Sequence, residues 1–186
     1  AIHSHVGDLE TARKLARRNV DAFKPTDVEA VVVGSAGCSA RMKEYDHLLR
    51  DDHEYAGAAR AFSGKVKDIH EFLVELPVEP PKASLDCRVT YQDSCHLANP
   101  QGVTQQPRQL LRSIPGVEFV ELPNASICCG AGGTYSITER ESSLAVLDAK
   151  MRAVEATGAD VVATANPGCL LHLQYGVVRQ QLDARV

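Results

Sequence analysis

Apolar side chains recur every three or four positions between Asp8 and Phe23, with charged residues between them. This spacing predicts an amphipathic helix with one face packed against a core. Pro25 and Asp27 end the pattern, because proline cannot continue a helix and restricts the residue before it. The predicted apolar face consists of Leu9, Ala12, Ala16, Val20 and Phe23.

A nearly continuous apolar run over residues 28–33 is typical of a buried strand in a parallel sheet. It leads into a glycine-containing turn at 34–37, which places Cys38 at the carboxyl end of that strand. Prolines at 77, 80 and 81 then predict a stiff boundary. Between the turn and this boundary, helical spacing returns in three segments: about Ser39 to Leu49, Glu54 to Phe62 and Lys65 to Leu76.

Beyond the prolines, strand and helix patterns alternate. Residues 88–92 and 117–122 predict strands around a helix near 105–113, and a further strand is predicted at 160–164. Such alternation favours an α/β fold, a parallel sheet with flanking helices, in which functional groups collect at the carboxyl edge of the strands. The helix before the last strand is predicted from its apolar positions, Leu144, Leu147, Met151 and Val154.

Two segments of the chain resemble each other at an offset of 131 residues, the separation of Cys38 from Cys169. At this offset Val31 also falls on Val162, and Arg41 takes the place of His172. A fixed offset of this kind indicates a duplicated unit. We therefore predict two pseudo-repeats, a first copy truncated at its N-terminus and a complete second copy: residues 1–78 and 79–186.

The adjacent thiols of Cys128 and Cys129 are the strongest chemical signal, because neighbouring cysteines seldom serve ordinary core packing. Cys95, Cys169 and His172 are candidates to join them. Thiolates and imidazoles select zinc, copper(I) or iron-sulfur clusters over hard, oxygen-loving cations. Spacing alone leaves the choice among these metals open.

Composition narrows the classes of function. A chain of 186 residues can bury a core without disulfides, so its six cysteines are not needed for stability. We recognise neither a signal peptide nor an apolar span of ~20 residues, which favours a reducing cytoplasmic setting, with membrane association only through partner subunits. The net charge of −4 and the lack of a long basic stretch argue against nucleic acid as a partner. No acid-base pair or nucleophile triad stands out, so no catalytic residue is assigned.

Three runs carry a resemblance to a known family: Asp93-Ser94-Cys95-His96-Leu97, Cys128-Cys129-Gly130-Ala131-Gly132 and Asn166-Pro167-Gly168-Cys169. They resemble the motifs of the cysteine-rich, or CCG, domain. This domain occurs in glycolate oxidase iron-sulfur subunits, lactate-utilisation proteins and the B subunit of heterodisulfide reductase. The chain looks most like the C-terminal part of the glycolate oxidase subunits, where such domains follow a ferredoxin-like region with four-cysteine runs. Because those runs are missing here, we expect the chain to be a fragment.

The resemblance implies that Cys95, Cys128, Cys129 and Cys169 bind a 4Fe-4S cluster, or zinc in some relatives. Cys38 would be the remnant of the site in the first copy. In heterodisulfide reductase a further thiol stands where this chain has His172, which favours electron transfer or a structural metal over disulfide cleavage. The residues expected to surround the site are Asp93, His96, Gly130, Gly132 and Gly133.

The leading interpretation is therefore an electron-transfer subunit that takes electrons from a flavin-bearing partner, which would oxidise a 2-hydroxy acid. The first alternative is a zinc-bound structural or assembly module, with Cys95, Cys169, His172 and one of the adjacent cysteines as ligands. The second alternative is thiol-disulfide chemistry at the adjacent pair. We expect a sample prepared in air to lose an exposed cluster.

Overall fold

The computed structural model of the chain describes residues 1–24, 27–77 and 79–186. Helices and parallel strands alternate through these ranges, which confirms the predicted α/β class. None of the helices described there is both long and apolar enough to cross a membrane. In chain order the elements are α1 (Ile2–His5), α2 (Leu9–Phe23), β1 (Val31–Val33), α3 (Ala36–Lys43), α4 (Tyr45–Leu48), α5 (Ala56–Lys65), β2 (Val66–Asp68), α6 (Ile69–Glu75), β3 (Cys87–Gln92), α7 (Cys95–Gln101), α8 (Gln105–Arg112), β4 (Val117–Phe119), α9 (Tyr135–Thr138), α10 (Arg140–Thr157), β5 (Val161–Thr164) and α11 (Pro167–Gln180).

The strands form two small parallel sheets. In the first, β1 pairs with β2, and Val31 lies opposite Val66. In the second, β3 is the central strand between β4 and β5. Its first half pairs with β4 and its second half with β5, so that Gln92 lies opposite Thr164. The carboxyl ends of the second sheet therefore meet at one edge, as the sequence predicts.

Helix α2 confirms the first predicted element. Asp8 lies directly before it and accepts a hydrogen bond from the backbone amide of Thr11 at 3.1 Å, which satisfies one of the free amides at the helix start. The middle of the predicted apolar face, Ala12, Ala16 and Val20, is buried. The two ends of that face are more exposed than the pattern suggests. The predicted break at Pro25 lies outside the described residues.

The prediction of one helix over residues 65–76 is wrong in its first part. Residues Val66–Asp68 form strand β2, and helix α6 begins only at Ile69. Asp68 begins this helix with a capping box, in which its carboxylate accepts from the backbone and the Glu71 side chain accepts from the Asp68 amide. A strand of three residues is too short to show a period, and its pairing with β1 is non-local, so tertiary contacts decide its structure.

Other boundaries also move. The strand predicted over 28–33 is limited to β1, and helix α3 begins before the predicted start, so Cys38 lies in its first turn. The single helix predicted from Ser39 to Leu49 is divided into α3 and α4. Beyond the predicted strand 88–92, the segment that begins at Cys95 is helix α7.

The core comprises three clusters of buried residues. The first packs α2, α4 and α5 against β1 and β2, with Val20, Leu49 and Phe62 among its largest members. The second packs α10 and α11 against β5 and includes Cys129 and Cys169. Two of the predicted ligands therefore lie within the hydrophobic core, where neighbouring side chains fix their positions.

The two sheets meet through the first turns of α3 and α11. The backbone amide of Ala36 donates to the carbonyl of Ala165 at 3.0 Å, and the amide of Gly37 donates to the side-chain oxygen of Asn166 at 3.1 Å. Ala36 also belongs to the third buried cluster, which it shares with β3 and α7. The segment that carries Cys38 thus packs directly against the segment that carries Cys169.

Buried polar side chains complete this junction. Gln101 on α7 donates to the Ser39 hydroxyl at 3.0 Å, and this hydroxyl donates to the carboxylate of Asp68 at 3.0 Å. The other oxygen of that carboxylate lies 2.6 Å from Nδ1 of His70. Burial alone would raise the pKa of Asp68, but the hydrogen bonds from His70 and Ser39 lower it below its ordinary value. Asp68 is therefore a buried carboxylate that its partners keep ionised.

Asp68→Asn is expected to lower the free energy of unfolding at neutral pH by about 1–3 kcal/mol, because an amide replaces a hydrogen-bonded buried carboxylate. The pKa of Asp68 is lowered in the folded state, so its stabilisation is present above the unfolded-state pKa of about 3.9 and is lost as the pH falls through the lowered value. Urea unfolding at neutral pH and near pH ~3 measures both effects.

Asp51→Asn is the matched control, since the Asp51 side chain is 88% exposed. It is expected to change stability by no more than about 0.5 kcal/mol. Equal stability of Asp68→Asn and the parent chain at neutral pH would contradict the role given to Asp68.

Candidate metal centre

Four cysteines lie at the carboxyl edge of the second sheet. Cys95 is the first residue of α7, three positions after the end of β3, and Cys169 lies in the first turn of α11, after β5. Cys128 and Cys129 occupy the loop between β4 and α9. Cys87 lies at the opposite end of β3, away from this edge. The topology therefore brings together the four cysteines that the family motif singles out.

The four thiols are joined by hydrogen bonds. Cys128 accepts from Cys129 and from Cys95, which lowers the pKa of Cys128 below its ordinary value. The hydrogen bond that Cys95 donates to Cys128 raises the pKa of Cys95. Cys129 donates to both Cys128 and Cys169, and these two bonds raise the pKa of Cys129. Acceptance of a hydrogen bond from Cys129 lowers the pKa of Cys169. These contacts favour the thiolate form of Cys128 and Cys169, and thiolates are the form in which cysteine binds metals.

The number and type of the donors bear on the kind of metal group that fits. Cys95 interacts electrostatically with both Cys128 and Cys169, so the four thiols lie near one another. In the described ranges, no three Cys, His, Asp or Glu side chains are grouped as a single-ion site. An iron-sulfur cluster is wider than an ion and takes four cysteine thiolates. The number and type of the donors fit such a cluster.

Gln92 positions the loop that carries the adjacent cysteines. Its side chain is fully buried at the end of β3, and its amide nitrogen donates to the carbonyls of Asp93, Ala125 and Ile127 at 2.7, 2.9 and 3.1 Å. These bonds fix the backbone just before Cys128. Buried backbone carbonyls need such partners, because an unpaired one costs about 1–3 kcal/mol.

Lys150 supports the same loop from helix α10. Its ammonium group donates to the carbonyl of Asn124 at 2.6 Å, and the residue is only 3% exposed. Burial lowers the pKa of Lys150, while the nearby thiols of Cys129 and Cys128 act in the opposite direction. A buried cation therefore lies near the thiols, where negative charge would collect on a bound cluster.

Gly130 and Ser143 fix the other side of the adjacent pair. The Gly130 amide donates to the sulfur of Cys128 at 3.3 Å, and the Ser143 hydroxyl donates to the Gly130 carbonyl at 2.8 Å. His172 lies on α11 with Nε2 at 3.2 Å from this hydroxyl. Gly130 has a φ of +95°, and a Cβ there would lie 2.5 Å from the Ser143 carbonyl oxygen. The position needs glycine for both its backbone angle and its space.

Cys169 is held by groups from two elements. The Ser94 hydroxyl lies 3.2 Å from the Thr164 hydroxyl, which ties the end of β3 to the end of β5. Ser94 also hydrogen-bonds the Cys169 sulfur. The side-chain amide of Asn166 approaches the same sulfur at 3.8 Å. These donors favour the thiolate form of Cys169.

A buried ion network lies behind Cys95. Arg108 on α8 binds the Asp93 carboxylate with two nitrogens, at 2.7 and 3.0 Å, and also donates to the Thr104 carbonyl at 2.6 Å. A further nitrogen of Arg108 binds Glu121 at 2.8 Å. The hydrogen bond to Asp93 is the largest cause that raises the pKa of Arg108. This network holds Asp93, two positions before Cys95, against helix α8.

The remaining predicted residues lie around the thiols in different ways. Nδ1 of His96 lies 3.4 Å from the Cys95 sulfur, and its ring contacts the ring of His5 with centroids 5.2 Å apart. Gly132 and Gly133 have φ values of +49° and +65°, which turn the loop back toward α9. Cys38 is exposed in the first turn of α3 and does not take part in the hydrogen bonds among the other thiols.

Several supporting residues are not identified by sequence reasoning. The sequence offered a weak signal for some of them. A lysine interrupts the apolar face of α10 beside Met151, and an asparagine precedes the proline that begins α11. Nothing local identifies the others, because their partners are distant in the chain. The unpredicted residues are Gln92, Arg108, Ser143 and Lys150, together with the contact between Asn166, part of a family motif, and the Cys169 sulfur.

Arg108→Met is expected to lower the free energy of unfolding by about 3–5 kcal/mol, since it leaves the buried carboxylate of Asp93 without its partner. Arg112→Met is the matched control on the same helix. The Arg112 side chain is 54% exposed, and its nearest Glu121 oxygen is 3.9 Å away. The control should change stability by no more than about 1 kcal/mol. Chemical unfolding of both variants tests the difference, and similar losses would contradict it.

Gly130→Ala is expected to destabilise the chain by about 1–3 kcal/mol, because the added Cβ meets the Ser143 carbonyl and the φ angle is unfavourable. Gly57→Ala, within α5, adds a Cβ with no atom inside 4 Å. It should be neutral or stabilising by up to about 1 kcal/mol. Thermal unfolding of the two variants compares the sites, and a Gly130→Ala variant as stable as the parent would rule out the strain.

Comparison with known proteins finds relatives named as an iron-sulfur subunit and as lactate utilisation proteins. The chain is 47% identical over 188 residues to "Probable glycolate oxidase iron-sulfur subunit" of Bacillus subtilis, a match that covers 100% of the chain and 42% of the relative. It is 38% identical to "Lactate utilization protein A" of Bacillus licheniformis, over 90% of the chain and 70% of that protein. It is 35% identical to the "Lactate utilization protein A" of Bacillus subtilis, in a match that covers 97% of the chain and 75% of that protein. The chain thus spans less than half the length of the first relative.

The family match covers both halves of the fold. The family model described as "CCG: Cysteine-rich domain" matches residues 1–43 and 89–174. The second of these ranges contains all four joined cysteines, and the first contains Cys38. On the matched residues and the identity to these relatives, the chain belongs to the cysteine-rich domain family.

Proposed function

We propose that this chain is an iron-sulfur electron-transfer module of a system that oxidises a 2-hydroxy acid. Cys95, Cys128, Cys129 and Cys169 would hold its 4Fe-4S cluster. The observation that supports this most is the convergence of four cysteines at one sheet edge. The names of the relatives, an iron-sulfur subunit and lactate utilisation proteins, supply the class of system.

The residues around the thiols would set the affinity of the site for electrons. A bound cluster would accept and release single electrons. The Gly130 amide donates to the Cys128 sulfur, and the Asn166 amide approaches the Cys169 sulfur. Hydrogen bonds to ligand sulfurs stabilise the more negative, reduced state and so raise the reduction potential. The buried cation of Lys150 acts in the same direction.

Burial gives the site an inner and an outer side. Cys129 and Cys169 are 1% and 6% exposed, whereas Cys128 is exposed. The inner thiols keep water from that side, while the outer side lies close enough to the surface for electron exchange with a partner. The partner we propose is a flavin-bearing subunit that oxidises the 2-hydroxy acid. A ferredoxin-like iron-sulfur region in the rest of the protein would relay the electrons.

The setting we propose is a reducing compartment such as the cytoplasm. All six cysteines are free thiols, and free thiols persist where disulfides are kept reduced. A reducing setting also protects a cluster with one exposed ligand.

Cys129→Ser is expected to abolish cluster binding while the fold persists, because it removes one of four ligands from a site built on intact helices and strands. Cys87→Ser is the matched control, since Cys87 lies at the far end of β3. The chains are purified and reconstituted without oxygen, and iron, sulfide, zinc and the visible spectrum are measured together. The parent and Cys87→Ser should hold about four irons and four sulfides, with absorption that dithionite bleaches.

Equal iron content in the two variants would contradict the ligand assignment. A colourless parent chain with about one bound zinc would contradict the cluster and favour the zinc-bound structural or assembly module. A metal-free parent with a fast-alkylating Cys128 would instead favour thiol-disulfide chemistry.

A further inference from the structure

Helices α3 and α11 correspond at the offset of 131 residues, but they differ in what covers them. Ala36 of α3 falls on Pro167 of α11. Ala40 falls on Leu171. The two alanines are 0% and 5% exposed, whereas Pro167 is exposed and Leu171 is 66% exposed. The same helix face is therefore covered in the first copy and open in the second.

Helix α7 covers this face of α3. Leu97 shares a buried cluster with Ala36. The side-chain amide of Gln101 donates to the Ala36 carbonyl at 3.2 Å and to the Ser39 hydroxyl at 3.0 Å. Ser39 is fully buried, whereas its counterpart on α11, Leu170, is partly exposed. Apolar packing and hydrogen bonds from α7 thus bury the part of α3 whose counterpart is open on α11.

The open face is distinct from the remaining exposed apolar surface of α11. Val178 is 76% exposed, but its counterpart, His47, is also exposed. Single apolar residues at the surface are common, so the exposure of Val178 requires no partner. At Leu171 the counterpart is buried instead. Among the described residues, the first copy therefore makes a contact at this position that the second copy lacks.

The arrangement of the two copies identifies the helix that would make this contact. Helix α7 belongs to the second copy, but it packs on α3 of the first. Two copies that pack symmetrically make each contact twice, with their roles exchanged. The helix expected on α11 is therefore the α7 counterpart of the first copy. Its first residue, the counterpart of Cys95, falls about 37 positions before Ala1 at this offset.

We propose that the open face of α11, formed by Pro167, Leu170 and Leu171, is the docking surface for this helix of the first copy, within the full-length protein. Burial of the two leucines removes apolar surface from water and so favours docking. Because α11 begins beside Cys169, the docked helix would support the metal centre of the second copy. The contact depends on the predicted duplication and not on which metal the thiols bind.

Carbene footprinting of the full-length protein, read by mass spectrometry, tests this docking without a substitution. Labelling of each residue is normalised to its labelling in the urea-unfolded protein. Val178 is the matched control, because it lies on the same helix and is similarly exposed in the present chain. Leu171 should be labelled at least about fivefold less than Val178, since a docked helix excludes water and probe from it.

Leu171→Glu in the full-length protein provides a second test, because it places a charge where the docked helix would bury it. It should increase the rate of proteolytic cleavage in the first copy by at least about tenfold, since release of the helix exposes its backbone. Val178→Glu, the matched control, should leave this rate within about twofold.

Three results would overturn the proposal: a full-length sequence without a strand, cysteine and helix at the expected position, similar labelling of Leu171 and Val178, or similar cleavage of the two variants. Protection of Leu171 that appears only as the protein concentration rises would overturn it as well, because a second molecule would then cover the face.

Discussion

The hydrogen bonds of Gln92, at the end of the central strand, hold the site to the sheet. Its amide binds the loop before the adjacent cysteines, and the next two residues continue the same function. Asp93 binds Arg108 on α8, and Ser94 binds Thr164 at the end of β5. Cys95 follows directly. Consecutive residues thus connect β3 to the cysteine loop, to α8 and to β5, and the relative positions of the thiols depend on this one strand end.

The sequence predicts the positions of the cysteines better than the groups around them. Parallel strands end at one edge, so cysteines that follow different strands were expected to meet, and they do. Helix α2 was also predictable, because its pattern is local and fifteen residues long. Strand β2 was not, since three residues carry no period. The partners of Gln92 and Arg108 depend on the fold and leave no signal in neighbouring residues.

The joint between the halves is consistent with the predicted duplication, which stays a prediction. Gly37 and Gly168 are equivalent at the offset of 131 residues, and a Cβ on either would lie 3.3 Å from the side chain of the same residue, Asn166. The two helix starts are therefore packed face to face around one amide. This contact holds the first turn of α3 against the start of α11, the helix that carries Cys169.

The unequal exposure of Cys128 and Cys129 has a chemical consequence. Although they are neighbours in the chain, the Cys128 side chain is exposed to solvent, whereas Cys129 is only 1% exposed. Peroxide or oxygen that diffuses in from solvent meets the outer sulfur first, and oxidation of cysteine follows accessibility. The inner sulfurs would survive that first attack inside the apolar core. Oxidation at this sheet edge would therefore begin at the Cys128 sulfur and reach the buried sulfurs later. Reduction at an early stage would have to restore only the Cys128 thiol.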